Sequence, residues 1–154
     1  MEHALTGGTE RATFRWSAGM CTVEHRARQI LDPATALRVE LDRRELCPGH
    51  EGVVLHIIPS DIDMMDQESL RVWMSPECMD AVVARAVVVP SGITALKHRI
   101  RWMFFASDVP FRVFRNPQVA KGWLQDCWLR HVEATVPGWE SDGAHSGDEA
   151  SVAR

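Results

Sequence analysis

Along this chain apolar residues come in short blocks cut by proline and glycine, and the period of the blocks changes from one to the next. "ATFRW" and "MCTVEHR" flank Ser17-Ala18-Gly19, a short glycine-bearing connection that predicts a hairpin of two antiparallel strands. Asp32-Pro33 places a side-chain cap before a proline at the first helical position. It opens a helix through about Glu45 in which Leu37 and Leu41 repeat at i, i+4, and Cys47-Pro48-Gly49 stops it. "GVVLHII" is an almost continuous apolar run between Gly52 and Pro59, the pattern of a central strand buried on both faces.

"DQESLRVWM" reads as a short helix, Ser75-Pro76 starts another with "ECMDAVVA", and "RAVVV" before Pro90 is the next buried strand. Ser91 caps a helix from Gly92 to about Ala106, Val109-Pro110 turns the chain, "FRVF" is a strand, and Asn116-Pro117 begins a last helix to about His131. Strands alternating with helices imply parallel pairing through right-handed crossovers, and the hairpin adds antiparallel strands. The expected fold is α/β, a mixed five-stranded sheet covered by about four to five helices. It spans residues 11–136, between a frayed segment 1–10 and an acidic tail 137–154 with too little to bury to offset the entropy of ordering.

Composition narrows the classes. The 154 residues suit one domain, and a net charge of -4 gives no global attraction to nucleic acid. No run approaches the length of a membrane span and the first residues carry no export leader, so the expected place is the cytoplasm. There Cys21, Cys47, Cys78 and Cys127 are expected as reduced thiols.

The helix expected over 92–106 carries an anomaly. At about 100° per residue Ile93, Leu96, Ile100, Met103 and Phe104 form one stripe, while Trp102 and Phe105 fall opposite it among His98 and Arg101. Either Phe111, a neighbouring helix or a second subunit of a homodimer covers these aromatics, or the face is a working surface. As a surface it would dock a protein partner, touch an anionic membrane, or gate an apolar pocket.

"SPECMDAVVARAVVVPSGITALKHRIRWMFFASDVPFRVFRNPQVAKGWL", residues 75–124, resembles SpoIIAA-like proteins of the STAS type: a serine after the fourth strand, an aromatic-ended helix, a proline, a short "RVF" strand and an "A-x-x-W-L" helix. The order of elements agrees over about residues 12–130. The resemblance implies a non-enzymatic domain that regulates a protein partner or binds a hydrophobic ligand, related in fold to lipid-carrying SEC14-type modules, with no cofactor. The phosphorylated serine motif of the anti-sigma-factor antagonists has no counterpart, since "SDIDMMDQESL" stands in its place and neither Ser60 nor Ser69 lies in such a motif.

Other chemistry is weakly signalled. Cys21 with His25 and Cys47 with His50 offer zinc-type ligands, but along a strand the first pair is roughly 13 Å apart, too far to share one ion. Cys78, in the first turn after Pro76, is the best nucleophile candidate and the basis of a third reading as a cysteine-dependent enzyme; the plain alternative is a buried thiol beside Met79 and Val82. The "VPSG" turn resembles an anion site only as any capped helix does.

Overall fold

The computed structural model describes residues 5–49, 51–90 and 108–136. Its main sheet has six strands: β1 (Leu5–Gly8), β2 (Ala12–Ser17), β3 (Met20–His25), β5 (Gly52–Ile57), β7 (Val82–Val88) and β8 (Phe111–Phe114), in the spatial order β1-β2-β3-β5-β7-β8. Two short strands, β4 (Ile30–Leu31) and β6 (Met64–Met65), pair in parallel beside it. The first three strands of the main sheet run antiparallel, and β3, β5, β7 and β8 are parallel. The described helices are α1 (Pro33–Leu46), α2 (Glu68–Met74), α3 (Pro76–Met79) and α4 (Pro117–Thr135).

From β3 to β8 the order advances in one direction only, so right-handed crossovers leave the connecting helices on one face. That face holds Phe14, Val23, Val54, Val87, Leu70 and Trp73 beneath α1 and α2. Helix α4 follows the last strand and closes the other face, where Val53, Leu55, Ala84, Ala86 and Val88 meet Ala120 and Leu124. Strand β5 lies between β3 and β7 with helices on both sides, which accounts for its unbroken apolar run.

The expected mixed α/β sheet is therefore present, with one strand more than expected. Strand β1 forms within the segment expected to fray, because its backbone completes a ladder from Leu5↔Trp16 to Gly8↔Thr13 although its side chains bury little. The helix expected from "ECMDAVVA" is one turn only. Ser75 caps it at Cys78 N–H, Ala81 takes a left-handed φ of 58°, and the β-branched Val82 and Val83 already belong to β7. Helix α4 runs one turn beyond His131.

Helix α1 is the largest departure. Its cap is as read, with Asp32 accepting from Thr35 N–H at 2.8 Å, but Leu37 and Leu41 are each 45% exposed, while Ala36, Val39, Glu40, Asp42 and Arg43 point inward. The leucines mark the solvent face and two acids and an arginine mark the buried one. The helix expected over 92–106, the tail 137–154 and His50 lie outside the described residues.

Two glycines provide opposite tests of packing. A Cβ on Gly52 would come within 2.4 Å of the Gly19 carbonyl oxygen and 2.5 Å of Trp16, where β3 and β5 meet, whereas one on Gly122, inside α4, would meet nothing within 4 Å. Gly52→Ala is expected to lower unfolding free energy by roughly 1–3 kcal/mol through overpacking, and Gly122→Ala to raise it by about 0.5–1 kcal/mol through helix propensity. Urea denaturation of both variants checks this, and a neutral Gly52→Ala would contradict the strand contact described.

Candidate functional site

Three polar side chains form a diagonal row across the sheet face beneath α1. Alternation points Cys21, Val23 and His25 of β3 to that side, along with Val54 and His56 of β5 and Arg85 and Val87 of β7. The register sets Val23 opposite His56 and Val54 opposite Arg85, so His25, His56 and Arg85 step one position along each successive strand. They touch: His25 Nε2 is 3.0 Å from His56 Nδ1, and His56 Nε2 is 2.8 Å from Arg85 Nη1.

Arg85 is 0% exposed. Its Nη1 and Nη2 each donate to Glu40 Oε2 at 3.1 Å, and Nη2 also donates to the Cys78 carbonyl at 2.7 Å. Glu40 also accepts from Arg43, at 2.6 Å on Oε1 and 3.0 Å on Oε2, and from Arg44 Nε at 3.4 Å. A guanidinium has no acceptor, so the Arg85–His56 contact must run from Arg85 N–H to a bare His56 Nε2. In its neutral form His56 then carries its proton on Nδ1 and donates to His25 Nε2. That leaves His25 as the Nδ1–H tautomer, and Nδ1 is buried with no hydrogen-bond partner. Trp73 stacks on His56 at 4.0 Å between centroids and donates its own N–H to the Ala36 carbonyl.

The electrostatics follow from this burial. Desolvation pushes His25 down to about 3, and desolvation followed by the charge of Arg85 holds His56 well below its ordinary value, so both rings are neutral at pH 7. For Glu40 desolvation is the largest influence and acts upward, but Arg85 and Arg43 together outweigh it and hold the carboxyl at about 2. With Glu40 and Arg43 of α1 the row forms a buried cluster of one carboxylate, two guanidiniums and two neutral imidazoles.

An accessible concavity lies toward the opposite face. A groove of about 800 Å³ runs between α4 and β8, lined by Val83, Phe111, Val113, Trp123 and Cys127 with Arg112 and Arg130 among them. Arg112 lies over the Trp123 ring at 5.2 Å, and Phe114 packs on that ring from 5.6 Å. Arg130 donates to the Asp126 carbonyl at 3.1 Å and lies 3.9 Å from the Cys127 sulfur. Neither Arg112 nor Arg130 meets a carboxylate among the described residues.

The residues singled out by sequence fall apart in space. His98, Arg101, Trp102 and Phe105 lie outside the described residues. Cys78 is buried at the one-turn α3, and it is its backbone carbonyl that Arg85 uses. Cys21 interacts with Cys47 and His25 with His56, while His50, the other residue of the suspected zinc pairing, lies outside the described residues. Ser69 is buried with its hydroxyl donated to the Leu31 carbonyl at 2.7 Å. Among the described residues no helix is long and apolar enough to cross a membrane. No family model, curated protein or solved structure matches the chain.

Acidification tests the sealed row. Unfolded histidines titrate near 6.5, so two imidazoles held neutral in the fold take up protons only on unfolding. Stability is complete above that pH and falls below it by about 1.4 kcal/mol per pH unit for each ring. Glu40 adds a further loss between its ordinary value of 4.5 and about 2. Denaturant titrations between pH 7.5 and 5 are expected to show this slope, and His25→Phe to remove about half of it. A flat profile would mean that both rings protonate freely in the folded state.

Proposed function

We propose that this is a non-catalytic binding domain of SpoIIAA-like build, working by docking a protein partner into the groove between α4 and β8. The observation that carries the reading is the pairing of an apolar lining that includes Val83 and Trp123 with Arg112 and Arg130, which meet no carboxylate among the described residues. Such a surface favours a segment that presents apolar side chains and acids together, because the lining supplies burial and the arginines select charge. The groove is open along its length, which suits a chain segment better than an enclosed small molecule.

A second reading, a hydrophobic small ligand, is favoured by the Trp123 ring in the groove lining.

A labelled peptide alternating Leu and Glu, compared with its Leu/Gln counterpart, distinguishes these readings. Partner docking predicts binding of the acidic peptide only, weakened tenfold or more, about 1.4 kcal/mol, by Arg112→Glu with Arg130→Glu and weakened also by salt. Displacement of the peptide by a long-chain fatty acid, or binding of the fatty acid alone, would favour the small-ligand reading. Equal binding of both peptides, insensitive to the two reversals, would remove the groove as the site.

A further inference from the structure

A groove that lies over one face of a sheet is lined by every second residue of a strand, because side chains alternate between the faces. The groove between α4 and β8 is lined instead by five consecutive residues, Val109 to Val113. Their side chains point both ways: Val109, Phe111 and Val113 pack with the cluster beneath α1, whereas Arg112 lies over Trp123 on the α4 side. A cavity that touches both orientations in unbroken order runs along the edge of the strand, where the main chain itself forms the wall.

In the sheet β8 neighbours β7 alone, so among the described residues no strand lies on its other side. The Pro110 and Phe114 carbonyls accept from the N–H groups of Arg85 and Val89 at 2.9 Å each, which turns those two residues toward β7. Main-chain groups alternate in direction along a strand, so Arg112 also faces β7, while Phe111 and Val113 direct N–H and C=O outward along the groove. Pro110 stands at a position whose N–H would face β7, and it therefore removes no donor from the outer edge. Such an edge is a template for a further strand.

We propose that the partner's segment lies extended in the groove and joins β8 as an added strand, hydrogen-bonded to the main chain of Phe111 and Val113. Strand addition rests on the groove being the docking site, and it sets the conformation and side-chain pattern of what binds there. The two faces of the added strand meet different surroundings. Side chains on the α4 side lie beside Arg112 and Arg130 and favour acids; those on the other side continue the row of Phe111 and Val113 and favour apolar residues. The segment that fits is one in which acidic and apolar residues alternate. A helix of the same composition would present them at the helical period and leave the outward N–H and C=O groups of β8 without partners.

The test uses the full chain and labelled peptides of one composition: Leu and Glu alternating, the same residues reordered to a helical period, and the alternating peptide N-methylated at its leucines or at its glutamates. The alternating peptide is expected to bind roughly tenfold more tightly than the reordered one. Only alternate N–H groups of an added strand face β8, so methylation of one residue type should abolish binding and methylation of the other should leave it, the sensitive type reporting parallel or antiparallel pairing. Amide hydrogen exchange followed by NMR should show protection gained at Phe111 and Val113 and unchanged at Arg112. Binding that keeps its dependence on Arg112 and Arg130 but tolerates methylation of either type, or favours the reordered peptide, would overturn strand addition and leave the groove as the docking site. Protection gained at Leu5–Gly8 would move the added strand to the other edge of the sheet and overturn it as well. Failure of every peptide to bind would remove the groove as the docking site and strand addition with it.

Discussion

A guanidinium enclosed in the middle of a parallel sheet must be neutralised from the layer above it, and the position of α1 follows from that requirement. Arg85 projects from β7 into the face that α1 covers, and Glu40 reaches it with one oxygen while the other holds Arg43. An uncompensated buried charge is among the most costly features a fold can carry. Rotation of α1 by one residue, about 100°, would take Glu40 away and leave Arg85 with a histidine nitrogen and one carbonyl. Helix orientation is thus fixed by charge, and the exposure of Leu37 and Leu41 is a consequence: the face opposite Glu40 has to face out.

The other face of the sheet works by size. Ala84, Ala86 and Ala120 are small enough to let α4 lie close on β5 and β7, with Leu124 and Leu55 filling the contact. This helix reaches the edge strand β8 less completely, and Trp123, Arg112 and Phe114 form the wall of a groove there. Arg112 and Arg130, which meet no carboxylate among the described residues, both lie at this groove. One face thus spends its polar groups on an internal network, and the other presents charged groups beside an apolar lining.

Much of the architecture was legible in the sequence because it depends on punctuation. Asp32-Pro33, Ser75-Pro76 and Asn116-Pro117 each begin a helix, and the side-chain caps accept the backbone N–H groups they were expected to accept. Element faces were less legible. Leu37 and Leu41 obey the helical period as well as any core pair does, and only the long-range partner Arg85 shows that Glu40 and Arg43 lie inward. Strand β1 was missed because its stability lies in the ladder, which leaves no mark in side-chain character. The buried row did leave a signal: His56 interrupts "GVVLHII" and Arg85 opens "RAVVV", each a polar residue in a run that otherwise specifies burial on both faces. The groove left almost none, since Val83, Trp123 and Arg130 come from separate elements.

Ion clusters of this kind contribute little net stability compared with a well-packed apolar core, since desolvation cancels most of the attraction. What they provide is uniqueness of arrangement, because a half-satisfied network is worse than none. Here the network is nearly closed: four of the five Arg85 N–H donors have acceptors, and only Nε–H lacks one. Besides that Nε–H, two places are unfilled at its ends. One is the buried His25 Nδ1–H, left over when tautomers are assigned along the row, and the other is the excess positive charge of Arg43 beside Cys47. The first end is sealed by Trp73 and stays neutral. The second lies at the C-terminal end of α1, where Cys47 caps the helix. Because Glu40 lies in α1 and Cys47 ends it, the rotation that sets the carboxylate on Arg85 also sets where the helix end meets the sheet.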